Sequence, residues 1–244
     1  IRDFANLAPG AALIVKHSNP CGIALGDTLA EAYQSARACD PESAFGGIVA
    51  LNKTVDTDTA TLLAETFLEV VLAPDYSPES LDILTKKKNI RLLSTGAFTP
   101  KLPMRIGRGI VGGMLVMDRD LGGVELQQLK VVTKKQPTKD DLNSLLFAWR
   151  CVKWVKSNAI VYTNSRATIG IGAGQMSRAD AARLAVRKAL CSTEGSYMAS
   201  DAFFPFRDSV DEAARVGVHA IIQPGGSIKD SETIQAADEH DMIM

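Results

Sequence analysis

Short apolar runs alternate with helical periodicities along the chain, the order of elements that builds a layered α/β structure. Residues 11–15 are apolar and end at Lys16-His17. The following Asn19-Pro20-Cys21-Gly22 predicts a buried strand giving way to a polar turn. Thr28, with Glu31 three residues on, is a capping box, and Leu29, Ala32, Tyr33 and Ala36 share one face of the helix it opens, which is predicted to reach Cys39. Beyond it the pattern predicts strands over 45–51, 69–72, 90–93 and 111–117, with helices over 58–67 and 78–88. Periodicity weakens over 122–137, which reads as a crossing between halves. A helix then opens at Thr138, boxed by Asp141, and carries Leu142, Leu145, Leu146, Trp149, Val152 and Val155 at helical spacing until Ser157-Asn158. Strands over 159–162, 168–172 and 218–223 and helices over 178–190 and 229–238 complete a second half that repeats the plan of the first.

Composition narrows the class. The chain has 244 residues, 46% hydrophobic and 23% charged, enough apolar material for a sizeable core and too much for a disordered tail. Lys and Arg number 27 against 28 Asp and Glu, so there is no basic field with which to clamp nucleic acid. The four cysteines, Cys21, Cys39, Cys151 and Cys191, form no C-x-x-C pair, which excludes a zinc-finger spacing or a disulfide framework and points to a reducing cytoplasm. No apolar run approaches the roughly 18 residues of a membrane span, and the opening Ile-Arg-Asp-Phe-Ala has no signal-peptide plan, so a cytoplasmic protein without membrane partners is expected. A start at Ile1 and an apolar run stopping at Met244 predict a fragment lacking its beginning and a last strand.

Four segments have the residue types for chemistry. Lys16-His17 stands where a strand ends, the usual place for reactive groups in α/β sheets. The imidazole can take or give a proton near neutrality, and the adjacent ammonium can steady a developing anion, a pair suited to formyl or acyl transfer to an amine. The competing interpretation is a surface lysine beside a hydrogen-bonded structural histidine. His219, in a strand pattern, and His240, in a polar helix, read as structural. Residues 170–178 form a glycine-rich turn opening into a helix, where backbone N–H groups and Arg178 can meet an anion, and Ser177 with Asp180 is a capping box; a plain tight turn explains it equally. Pro224-Gly225-Gly226-Ser227 repeats the arrangement. Residues 200–208 set three phenylalanines around Pro205, either a flat wall for a heteroaromatic ring or a core-packing loop. Glu69, between apolar neighbours, is either aimed into a site or a solvent-facing strand residue, and the latter is favoured.

Taken together and in order, Val15-Lys16-His17-Ser18-Asn19-Pro20-Cys21-Gly22, Ser43-Ala44-Phe45-Gly46-Gly47, Val155-Lys156-Ser157-Asn158-Ala159 and the segments 170–178 and 200–208 resemble the aminoimidazole carboxamide ribonucleotide (AICAR) formyltransferase region of the bifunctional purine-biosynthesis family. The resemblance covers nearly the whole chain. It implies a three-layer α/β/α fold of two cytidine-deaminase-like subdomains, here 1–121 and 122–244, and a homodimer with sites shared across the interface. It implies formyl transfer from 10-formyltetrahydrofolate to the 5-amino group of AICAR. Carried over by motif, His17 is the proton-transfer residue, Lys16 stabilises charge on the formyl oxygen or leaving nitrogen, and Asn158 holds the carboxamide or the formyl group. Arg178 binds nucleotide, Phe203, Pro205 and Phe206 line the wall, and Gly46, Glu69, Asp208 and Ser227 help form the nucleotide and folate pockets. The chemistry needs no metal, while some members of the family use a structural monovalent cation. Missing family features are an N-terminal inosinate-cyclising (IMP cyclohydrolase) domain, an Arg-Tyr-Gly-x-Asn-Pro-His-Gln-type string ahead of the Lys-His motif, and an Arg and a His past Met244. Two rivals stand beside this: a zinc deaminase, which Pro20-Cys21-Gly22 lacks a second cysteine to support, and a nucleotide-binding regulatory module that uses the glycine turns without catalysis.

Overall fold

The computed structural model describes residues 1–98 and 104–244. The chain is α/β. In order it forms β1 (Gly10–Lys16), β2 (Asn19–Gly26), α1 (Leu29–Cys39), α2 (Pro41–Ala44), β3 (Gly47–Leu51), α3 (Thr57–Glu65), β4 (Leu68–Ala73), α4 (Pro78–Leu84) and β5 (Arg91–Ser94). A hairpin of β6 (Arg105–Ile110) and β7 (Gly113–Asp118) and a 3-10 turn at Leu126–Gln128 lead to α5 (Lys139–Val152). Then come β8 (Ile160–Thr163), β9 (Thr168–Gly172), α6 (Arg178–Lys188), β10 (Tyr197–Ser200), α7 (Asp208–Arg215), β11 (Ala220–Ile222) and α8 (Asp230–Glu239).

Two sheets carry the fold, with strand orders β2-β1-β3-β4-β5 and β11-β10-β8-β9. Their edges meet where Ala24 bridges Ala167. There the Ile23 N–H donates to Thr168 Oγ1 at 2.9 Å, the same hydroxyl donates to the Ile23 carbonyl at 3.2 Å, and the Leu25 N–H donates to the Arg166 carbonyl at 2.8 Å. Helices α1, α3 and α4 cover one face of the first sheet through Leu29, Tyr33, Ala60, Leu63 and Leu84. Helices α6, α7 and α8 cover the corresponding part of the second through Ala182, Val210 and Ala236. On the other side α5 packs Phe147, Ala148 and Cys151 against Leu13 and Ile23 of the first sheet and Val161 and Ala199 of the second, so one helix shares its apolar stripe between both. Among the described residues no helix is long and apolar enough to cross a membrane.

The local signals for helix starts hold. Thr28 accepts the Glu31 N–H, Ser177 accepts the Asp180 N–H, and Thr138 and Asp141 close a reciprocal box. Three expectations need correction. Asn19-Pro20-Cys21-Gly22 is not a turn but the first half of β2, because the chain reverses one step earlier, at His17-Ser18. Pro20 is tolerated there because it lies opposite Val15 where the register shifts, so its missing N–H breaks no regular ladder. Residues 111–117 are not a core strand: Val111 sits at the turn and β7 pairs with β6 in a separate ribbon, exposed on both faces. The short β10 and α7 lie where no element was predicted, inside or beside the aromatic segment.

Candidate active site

The two-residue connection between β1 and β2 gives His17 its position. Lys16 pairs with Asn19, and His17 (φ 51°) and Ser18 (φ 65°) are both left-handed, the sign pattern of a type I′ hairpin turn that normally calls for Asn or Gly. Two L side chains held in this region cost on the order of 1–3 kcal/mol each, a strain that persists only where the surroundings enforce it. The turn lifts an exposed imidazole to the rim of the sheet, where it makes no hydrogen bond to any other described residue. Lys16 turns back instead: its Nζ donates to the Phe45 carbonyl at 2.6 Å. Gly46 beside it has φ +67°, and a Cβ there would lie 3.0 Å from Lys16 Nζ, so backbone shape and the ammonium's seat both demand glycine. The Gly46 N–H donates to the Phe67 carbonyl at 2.7 Å, and the Phe45 and Phe67 rings stand 5.3 Å apart.

Asn158 belongs to a second cluster. It lies between α5 and β8, paired through the backbone with Gln175. Its Nδ2 donates to the Gln175 and Met176 carbonyls at 2.9 and 3.0 Å, and its Oδ1 accepts from Arg178 Nη2 at 2.7 Å. Both amide hydrogens are therefore spent, and what the side chain still offers is a second lone pair on Oδ1. A donor role toward a formyl oxyanion does not fit this arrangement, whereas acceptance from an amine or carboxamide N–H does. Arg178 is 8% exposed and is held by Ser200 Oγ at 2.8 Å and Asp201 Oδ1 at 2.5 Å. Burial alone would push the Asp201 carboxyl up, but hydrogen bonds from Ser157, Arg178 and the Ala159 N–H outweigh it and hold the group below the ordinary aspartate value.

The clusters are tied together. Asn19 Oδ1 accepts the Lys156 N–H at 2.9 Å, so the His17 turn leans on the segment leading into Asn158. A cavity of about 240 Å³ opens behind the turn, bordered by Lys16, His17, Cys21, Cys39, Asp40 and Lys188. Lys188 Nζ meets Asp40 Oδ2 at 2.6 Å across it, joining α6 to the start of α2. Burial pushes the Cys21 thiol up to about 11, with the Asp40 charge adding to the effect, and the Cys39 thiol to about 12, so neither is a ready nucleophile.

The remaining predicted residues are scattered. Phe203 and Phe206 are exposed at 42% and 54% while Phe204 is fully buried, so the segment puts one ring into the core and presents two with Pro205 at its surface. Lys229 Nζ lies 5.1 Å from the Phe206 centroid, which brings the Ser227 loop alongside that wall. Glu69 is exposed and bound to Arg91 at 2.8 Å, as the solvent-facing option has it. Asp208 is exposed at the start of α7, where it accepts the Ser209 N–H at 2.8 Å. The glycine cradles look different in three dimensions. A Cβ on Gly170 or Gly172 would strike the Ala185 or Ala181 carbonyl at 2.3 or 1.9 Å, so these glycines let α6 approach β9 and do not form an anion turn. The Gly226 and Ser227 N–H groups already bind the Asp230 carboxylate at 2.7 and 3.2 Å. His219 and His240 pair with Asp141 and Asp211 at 3.1 and 2.9 Å, matching their structural reading. Among the described residues no group of three or more His, Cys, Asp or Glu could hold a metal ion. Asn19 and Asp201 are supports that no local sequence pattern singles out, because their partners, Lys156 and Arg178, lie far off in the chain.

Comparison with known proteins places the chain in a family. A family model described as the AICARFT/IMPCHase bienzyme matches residues 1–188. The bifunctional purine biosynthesis protein PurH of Leptospira biflexa serovar Patoc, in the Ames and the Paris strains, is 52% identical over 98% of this chain. The match covers 48% of those relatives, so the chain spans about half their length. At that identity over nearly its whole length, the chain belongs to the AICARFT/IMPCHase bienzyme family of purine biosynthesis.

Proposed function

We propose that this chain carries the formyl-transfer half of a bifunctional purine-biosynthesis enzyme, moving the formyl group of 10-formyltetrahydrofolate to the 5-amino group of AICAR. The observation that carries the reading is the strained turn that presents His17 beside Lys16 and is fastened by Asn19 to the Asn158 segment. The 5-amino nitrogen of an aromatic carboxamide is a weak nucleophile, so its proton must leave as the new C–N bond forms. The amine attacks the formyl carbon, the carbonyl π pair moves to oxygen, and His17 takes the amine proton. The oxyanion then re-forms the carbonyl as the bond to N10 breaks, and N10 takes up a proton to give tetrahydrofolate. Lys16, with one N–H on the Phe45 carbonyl and others open, faces the negative charge as it develops on the formyl oxygen or on N10. Asn158 orients the amine or carboxamide as an acceptor. Arg178 reaches the nucleotide with what its internal bonds leave over, and Phe203, Pro205 and Phe206 flank the heteroaromatic ring. Gly46, Glu69, Asp208 and Ser227 complete the nucleotide and folate pockets.

The same reading divides the chain into cytidine-deaminase-like subdomains at 1–121 and 122–244 in a cytoplasmic enzyme, with an IMP cyclohydrolase domain supplied by the rest of the polypeptide. It also includes a homodimer. Ile106, Ile110, Leu115 and Met117 share one face of the β6–β7 ribbon and are each at least 45% exposed, and a lone two-stranded ribbon has little stability unless something packs on it. A second copy of the chain is the occupant the reading assigns. The test is an assay of the full-length polypeptide with AICAR and 10-formyltetrahydrofolate. AICAR-dependent release of tetrahydrofolate is expected, and its absence from a folded protein would overturn the assignment.

A further inference from the structure

We propose that Asp201 is a positioning residue that sets both the place and the hydrogen-bonding polarity of Asn158 through Arg178. The inference rests on the reading above in one respect, that Asn158 contacts the reacting amine.

Three consecutive residues are fixed by one buried carboxylate–guanidinium pair. Asp201 Oδ2 accepts from the Ser157 hydroxyl, Oδ1 accepts from the Ala159 N–H at 2.9 Å, and between them Asn158 is held by the guanidinium that Asp201 itself orients. The side chains of Arg178 and Asp201 are only 7% and 16% exposed, so the ion pair is shielded from competing water. A guanidinium fork presents its N–H groups in a fixed plane. With Nη1 anchored on Asp201 and Ser200, Nη2 has one direction left for Asn158 Oδ1. That contact decides which end of the amide faces which partner: the oxygen must face the cation, and the nitrogen must face the carbonyls of Gln175 and Met176. Without the carboxylate, the guanidinium loses its anchor and the amide loses the donor that pins its oxygen. Either a rotation of the amide or a small displacement then removes the acceptor from the reacting amine, and misplacement of about 1 Å can cost on the order of 100-fold in rate.

A carboxylate that merely held β8 to β10 would show itself in stability and not in coupling to Asn158. The experiment is therefore a double-mutant cycle in the full-length enzyme, with turnover, KM for each substrate and the thermal unfolding midpoint measured for every variant. Asp201→Asn is expected to lower kcat by about 10- to 100-fold with KM for the folate little changed. Introduced into Asn158→Ala, it is expected to lower kcat by less than about twofold more, because the residue it works through is already gone. Losses that multiply in the double variant would overturn the proposal. Normal turnover by Asn158→Ala alone would remove the reading of the site and the proposal with it, a failure distinguishable from the first. Arg178→Lys, which keeps the buried cation but cannot span Asp201 and Asn158, supplies the same cycle should Asp201→Asn not fold.

Discussion

Asn19 accepts the backbone N–H of Lys156 at 2.9 Å, so the turn bearing His17 and the segment bearing Asn158 are locked to each other by one side-chain oxygen. Removing that oxygen lets the strained turn relax. Asn19→Ala is expected to lower turnover by about tenfold, while Asn19→Asp, which keeps an acceptor, retains most of it. Steady-state kinetics alongside a melting curve checks this; equal losses in both variants would show that the bond is not what matters.

His17 is exposed and bears no packing duty, so its replacement tests chemistry with little confusion from folding. His17→Ala is expected to reduce kcat by about 10²- to 10⁴-fold, the usual share of a proton-transfer group, with AICAR affinity changed only a few-fold. Calorimetric titration with AICAR set beside the formyl-transfer rate makes the comparison, and near-normal turnover would reject the role.

Asp141 caps α5 and also receives Tyr197 and His219 at 2.9 and 3.1 Å. Burial opposes its ionisation, but the Thr138 hydroxyl and N–H, the Tyr197 hydroxyl and the His219 charge prevail and hold the carboxyl below its ordinary 3.8. The folded state thus releases this proton more readily than the unfolded state. Its stabilisation is complete above the ordinary value and disappears as pH falls through the lower, folded one. Asp141→Asn is expected to cost about 1 kcal/mol at neutral pH, mostly as lost capping. In strong acid the gap to the parent closes, which denaturant titrations across that range would show; a gap independent of pH would contradict it.

The β6–β7 ribbon gives a test of assembly. Ile106 and Met117 are cross-strand partners on the ribbon face that also carries Ile110, Leu115 and Arg108. Replacing both by Ser is expected to shift full-length protein from dimer to monomer in sedimentation analysis while the far-ultraviolet signal of the helices stays unchanged. A double variant that remains fully dimeric would place the contact elsewhere.

What the amino-acid order discloses is what is decided within a few residues. Thr138 and Asp141 announce α5, and Thr28 with Glu31 announces α1, because capping is a contact over three positions. The strand ends of β9 are also plain, since β-branched and apolar residues fill it. Glycine is more ambiguous. Gly170 and Gly172 read as an anion turn, yet their missing Cβ atoms make room for a helix whose carbonyls lie 9 to 15 residues onward (Gly170 to Ala185, Gly172 to Ala181), and no local pattern says which neighbour a glycine admits. Asn19 and Asp201 escaped for the same reason: their partners lie 137 and 23 residues away in the chain. Proline misled in the opposite direction, because Pro20 signals a break unless the bulge opposite Val15 is already known.

The stitching of β2 to β9 couples the two sheets mechanically. With Ile23 and Thr168 bonded in both directions and Leu25 bonded to Arg166, the edges of the two sheets are joined by backbone as well as by side chain. A displacement of β9 is therefore handed on through β2 to the turn that bears His17, so the rim of one sheet answers to the other.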